Sequence, residues 1–350
     1  MWAGLLRLDL ELPYLQPALS LSHGPLMVCG FLGTLISLER AVALNQWWAY
    51  VAPLITALGT LGLVVGVPGI FTPLLISLGS VAMVWNLGVI VRRQRALFTA
   101  VIALGGVAWL IGNTLWLFQV PVLSLVHWWA GFLVLTIVGE RLELSRLISH
   151  SGRVTGLFIV STVAFVGGLA WASLDRIRGL ELAGVGLILL SAWLFRFDVA
   201  RRTVHQHGLP RFIAISLLSG YVWLAVGGLY WVGAPVLNNP DLHFFHYDAM
   251  LHAIFLGFVF SMIFAHAPII FPAVIGAPLV YRKAFYTHVF LLHLSVLLRI
   301  GSDLGGRFAL NRWSGILNVT AIVVFLLNTA YSIALGRRTS APSANGPGLG

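Results

Sequence analysis

The chain reads as an all-α polytopic membrane protein of about eleven transmembrane helices, and three observations predict that class. Of its 350 residues, 59% are hydrophobic and only 9% are charged, whereas a soluble domain carries about 25% charged residues. Apolar runs of 18 or more residues recur along the whole chain, the length that crosses a hydrocarbon core as a helix. The short alternating segments of a membrane β-barrel do not occur.

Each span follows from an apolar run closed by Pro, Gly or Arg. Span one, 18–42, ends at Glu39-Arg40, and span two, 50–67, stops at Pro68. Span three, 69–91, runs into Arg92, Arg93 and Arg95; span four, 97–118, carries "WLIGNTLW". Span five, 122–144, follows Pro121 and ends near Glu140-Arg141; span six, 154–173, stops before Asp175. Span seven, 180–199, precedes Arg201-Arg202, and span eight, 212–233, carries "WLAVGGLYW". Span nine, 247–270, holds His252 and His266 and leads into Pro268, Pro272 and Pro278. Span ten is 283–300 and span eleven 315–335; residues 337–350 are small and polar and read as a disordered cytoplasmic tail. The first residues lack a basic region followed by a small-residue cleavage site, so no removable signal is expected.

Charge sets the orientation. The net charge is +10, but the basic residues sit between spans rather than in one patch, which excludes a nucleic-acid surface. Loops after the odd-numbered spans hold 15 of the 21 Lys and Arg residues. The positive-inside rule makes that side cytoplasmic. A bacterial-type inner membrane, with the N-terminus outside and the C-terminus cytoplasmic, is the expected setting. The many Trp residues near span ends, as in "NQWWAY" and "HWWAG", read as interfacial anchors. The single cysteine, Cys29, lies within an apolar run and offers neither a disulfide framework nor a thiolate cluster.

An internal repeat is readable. "GFLGTLISLER" at 30–40 matches "GFLVLTIVGER" at 131–141, and "GFVFSMIFAHA" from Gly257 places His266 where the glutamates stand. Spans three, seven and eleven each lead into a double arginine. The reading is a single transmembrane domain, 1–336, of three four-helix units at about 18–118, 122–233 and 247–336, the last without its fourth helix. Each unit carries a histidine upstream of its glycine: His23, His127 and His252. About five residues inside the outer end, ~8 Å at ~1.5 Å per residue, the three would lie at similar depth and face a shared centre. Imidazole suits haem iron and copper; the competing reading is hydrogen-bonded packing. His266, His288 and His293 form a second candidate metal group toward the cytoplasmic side. His266, about four turns after His252, would share its face at ~21 Å. His150, His205, His207, His243 and His246 read as loop residues, of which only His246 could approach the outer site. No acid lies in mid-span; Glu39-Arg40 and Glu140-Arg141 read as interfacial charges that stop their spans.

These residues carry a resemblance. "LSHGPLMVCGFLG" resembles the helix of haem-copper oxidase subunit I that supplies an axial ligand to the low-spin haem, and "YDAMLHAIFLGFVFSMIFAHAPIIFPAVIG" resembles a later helix of that subunit. Closer still is the NnrS family, multi-span membrane proteins associated with denitrification and nitrosative stress, through "SHGPLMVCGF", "VHWWAGF" and "LHAIFLG". The resemblance implies a haem-copper-oxidase-like fold and a haem, of b type, with His23 and His252 as axial ligands. It places His127 at the first copper histidine and admits copper as a second metal. It implies nitric oxide or another small diatomic as ligand, an electron donor of unidentified kind, and a haem-dependent oxidoreductase as the class of any enzyme activity; no catalytic residue is assigned. Span six lacks the histidine pair that completes the oxidase copper site, and no tyrosine stands near His127, so oxygen reduction and proton pumping are not carried over. Two other classes remain open: a permease with a histidine-lined pathway, and a haem-handling assembly factor without turnover.

Overall fold

Eleven helices among the described residues are long and apolar enough to cross a membrane. The structure, a computed structural model, describes residues 2–8, 13, 16, 19–145, 151–239, 243–276, 278–305 and 308–340. In chain order, spans one to eleven are His23–Leu44, Trp47–Val65, Phe71–Arg93, Leu97–Leu117, Val122–Leu144, Gly152–Trp171, Arg176–Phe197, Leu209–Val232, Phe244–Pro272, Phe285–Gly305 and Leu310–Arg338. They are the eleven that the apolar runs predict, with ends moved by a few residues.

Three of those ends matter. Span one begins at His23, so this histidine opens its helix rather than lying inside it. Span nine passes Pro268 and Pro272 and closes at Gly276, whose φ of 66° is left-handed, a conformation glycine adopts without a Cβ penalty. Membrane helices tolerate such prolines because neighbouring groups satisfy the freed carbonyls. The last helix runs through Arg337 and Arg338 to Ser340, so the start of the expected tail is helical. The rest of that tail, with Arg146, His150 and Arg307, lies outside the described residues.

Spans one and nine depart from α-helical geometry. Each holds an eight-residue π-helical stretch, Leu26–Gly33 and Ala253–Phe260. π turns close i→i+5 bonds, are rare, and recur at functional sites. Both stretches follow a candidate histidine, His23 or His252, within three residues.

Span five is the central helix: 83% of its apolar window is buried, the highest share of any span. It packs on span four on one side and also meets spans six, seven and nine. Trp129, Phe132, Leu133 and Val134 are wholly enclosed. Spans six and seven approach closely. A Cβ on Gly168 would run into the Ala183 backbone, and one on Gly186 into that of Phe165. Without a hydrophobic drive between helices in lipid, small residues gain van der Waals contact in this way. A second apolar cluster, with Phe212, Phe260, Phe264, Phe285 and Phe325, joins spans eight to eleven. A short helix, Trp2–Leu6, precedes span one and packs on span eleven.

Candidate functional site

A cavity of about 700 Å³ opens where the first turns of spans one, five, nine and eleven meet the last turns of span ten. Small-molecule and cofactor pockets run ~300–1,000 Å³. The Trp2–Leu6 helix and the turn after it contribute Gly4, Leu5, Arg7 and Leu8 to its wall. Met27, Val28, Leu32, Trp129, Phe255, Leu256 and Phe260 supply an apolar interior. Arg7, Arg176 and Arg299 line it with positive charge, and Asp248 is the carboxylate among its lining residues. His23 and His252, from two spans far apart in sequence, both line it.

The two histidines are held differently. His252 Nδ1 lies 2.8 Å from the Asp248 backbone oxygen and 3.3 Å from Asp248 Oδ1. A carbonyl only accepts, so Nδ1 carries the proton and Nε2 keeps its lone pair. Metal-binding histidines take this arrangement, donating the other ring N–H to a carbonyl or carboxylate. Arg299 grips the Asp248 carboxylate through Nε at 2.5 Å and Nη2 at 3.0 Å. His23 Nδ1, by contrast, is buried with no hydrogen-bond partner among the described residues. The ring lies against Gly4: a Cβ built there would sit 2.9 Å from His23 Cε1.

The remaining histidines do not join this cavity. His127 is buried, but span five presents Val122, Leu123, Val126 and Trp129 to the cavity instead. Its imidazole lies near the Leu169 backbone at the end of span six, and its Nε2 is buried without a partner among the described residues. The neighbouring Trp128 Nε1 donates to Ser173 Oγ at 3.1 Å. Three imidazoles at one depth around one centre therefore become two at the cavity and one turned to span six. The rotation of span five explains it, since Val122, Leu123, Val126 and Trp129 take the positions that face the cavity.

Nor do the second-site histidines meet. His266 gives its Nδ1 proton to the Met262 carbonyl at 2.8 Å and faces Arg141 Nη1 at 3.4 Å. The π stretch between His252 and His266 breaks the 3.6-residue register on which a shared face rests. His288 sits among Phe212, Phe264, Phe285 and Phe325, with Asn328 Nδ2 3.4 Å from its Nδ1. His293 Nδ1 accepts from Trp223 Nε1 at 2.9 Å. No three His, Cys, Asp or Glu side chains among the described residues are grouped to hold a metal ion. His246 Nε2 lies 2.7 Å from the Tyr230 carbonyl, away from the cavity wall. The Cys29 thiol donates to Asn113 Oδ1 at 3.2 Å, inside the core.

At the opposite ends of the spans stands a polar cluster that spacing alone did not reveal. Arg40 pairs with Glu140 of span five and, at 3.2 Å, with Glu39. Arg141 grips Asp198 through Nε at 2.8 Å and Nη2 at 2.7 Å, both side chains almost wholly buried. Asp198 Oδ1 also accepts from the Ala200 amide at 2.7 Å. Arg40, Arg141 and Glu140 are therefore inward-facing ties between spans, not charges that merely stop them. The repeated Glu-Arg pair was the available signal; the partners lie too far apart in sequence for spacing to name them.

A family model described as "Domain of unknown function (DUF8744)" matches residues 1–334. The chain belongs to that family. No curated protein and no solved structure matches it.

Proposed function

We propose that this member of the DUF8744 family is a haem-binding integral membrane protein, in which His23 and His252 would hold the haem. The observation that carries the reading is that these two histidines, from spans one and nine, line the same cavity. The residues fit the group in three respects. The cavity has the volume of a cofactor pocket and an apolar interior. His252 offers a lone pair at Nε2, its other nitrogen secured by Asp248, and the His23 ring lines the same cavity. Arg7, Arg176 and Arg299 on the wall suit carboxylate groups, which arginine binds in a fork.

When bound, haem supplies one-electron transfer and binding of a small diatomic such as nitric oxide. The chain's part is to hold and orient the two imidazoles, to fix the His252 tautomer, and to keep water from the apolar interior. An NnrS-like role in nitric oxide or nitrosative-stress chemistry follows from this reading. So does a bacterial-type inner membrane with the cavity at its outer face, since the cavity lies at the span ends away from the more basic loops. Copper finds no such fit. His127, His266, His288 and His293 lie in separate surroundings, and no step is routed through a copper centre.

The three-unit repeat belongs to the same reading. Arg40 of the first unit pairs with Glu140 of the second, and Arg141 of the second faces His266 of the third. His266 stands where the repeat places the glutamate, so one inter-unit relation occurs twice.

The test is purification from haem-supplemented cells. The expected result is a Soret band with the low-spin signature of two histidine ligands. A colourless protein that moves a solute in vesicles would end the proposal in favour of a permease.

A further inference from the structure

Resting on that haem reading, we infer that the two histidines are unequal ligands: His252 anchors, and His23 is displaceable by a diatomic such as carbon monoxide or nitric oxide. With both histidines holding the haem, a diatomic would gain access only where one imidazole leaves.

Three observations make His23 the one that leaves. Its Nδ1 has no acceptor among the described residues, so nothing there fixes the ring or raises its basicity. His252 has both, through the Asp248 carbonyl at 2.8 Å and a carboxylate that Arg299 holds. Such outer partners are worth ~10–100-fold in metal affinity. Position separates them as well. His23 is the first residue of its helix, whereas His252 lies within span nine. Helix ends open at the lowest cost. Finally, the His23 ring has room to move only if the five-residue Trp2–Leu6 helix lets it, since Gly4 lies against it without a Cβ. The exchange would be a ligand substitution: the His23 imidazole would leave as the diatomic takes its place, and no electron or proton would be transferred.

The experiment uses the full chain in detergent, haem-loaded and reduced, with carbon monoxide as the probe. Haem per protein is measured by the pyridine haemochrome, and binding by stopped flow. In the native protein the carbon monoxide rate should reach a plateau as concentration rises, set by loss of His23. His23→Ala should keep its haem, become five-coordinate and lose the plateau. His252→Ala should lose haem affinity by about tenfold or more. Gly4→Val, which crowds the ring without removing a ligand, should raise the plateau rate. Haem lost equally from both alanine variants, or retained only in His252→Ala, would overturn the inference. Should His23→Ala fail to fold, an unchanged plateau in Gly4→Val would overturn it alone. A native protein without a Soret band overturns the haem reading itself, a different outcome from a Soret band with the histidine ranking reversed.

Discussion

The two ends of this helical bundle use the same residue types to opposite effect. At the end near Glu140, arginine, carboxylate and histidine pair with one another: Arg40 with Glu140, Arg141 with Asp198 and His266. At the end near His23, arginines, Asp248 and two histidines line about 700 Å³ of cavity, and His23 Nδ1 is left without a partner. Buried polar groups are normally paired, and an exception calls for an explanation. The paired end is explained as a tie between spans one, five, seven and nine. The cavity, lined by two histidines from distant spans, calls for a ligand. The difference teaches that histidine and arginine do not mark a site by themselves; the cavity that some of them line does.

The largest effect should come from cutting the tie. Asp198→Ala strands Arg141 in the interior, and removing one partner of a buried pair costs about 3–5 kcal/mol. The midpoint of thermal unfolding in detergent should fall sharply, with unchanged haem content in the molecules that stay folded. Full haem loss from folded Asp198→Ala would erase the distinction between the two ends.

Next comes the carboxylate of the cavity end. Asp248→Asn keeps the backbone oxygen that His252 Nδ1 uses but removes the charge that Arg299 grips. Haem affinity should fall by up to about tenfold, the lower range for an outer partner, as read by haem transfer to apomyoglobin. No change would leave Asp248 as a packing residue.

His266→Ala tests the tie from its weaker side. Arg141 retains both bonds to Asp198 when the 3.4 Å contact is lost. The cost should be about 1 kcal/mol, and the Soret band should not move. A lost or shifted Soret band would return His266 to the ligand set and place a cofactor at the paired end.

How far the sequence shows this arrangement depends on what each feature needs. The eleven spans are legible because length and apolarity suffice to mark a crossing helix. The repeat and the resemblance single out His23 and His252; that they line one cavity comes from the fold. The π stretches are not, since "LMVCGFLG" and "AIFLGFVF" are as apolar as any α-helical run and the hydrogen-bond register leaves no mark in composition. Their presence undoes the spacing argument that put His266 on the His252 face. Pro268 and Pro272 mislead in the other direction, because packed neighbours carry a helix past residues that would end it in water. The Arg40–Glu140 tie depends on tertiary packing that no local pattern encodes.

His127 is the sharpest and smallest test, because the repeat makes it a ligand and the fold makes it a packing residue. The rotation of span five decides between them. Trp129 is fully buried, with its indole donating to Asn113 Oδ1 at 3.0 Å, and Trp128 reaches Ser173 beyond the end of span six. With the tryptophans so placed, His127 falls beside the Leu169 backbone, in the last turn of span six where carbonyls lack helical partners. His127→Leu gives up that polar contact and also removes a buried Nε2 that has no partner among the described residues. The first change costs about 1 kcal/mol and the second returns a similar amount. Stability should therefore change by less than about 1 kcal/mol, and the Soret band and carbon monoxide kinetics should stay as in the native protein. A ligand could not be replaced so quietly: loss of haem or a new spin state in His127→Leu would mean that span five turns its histidine to the cavity after all.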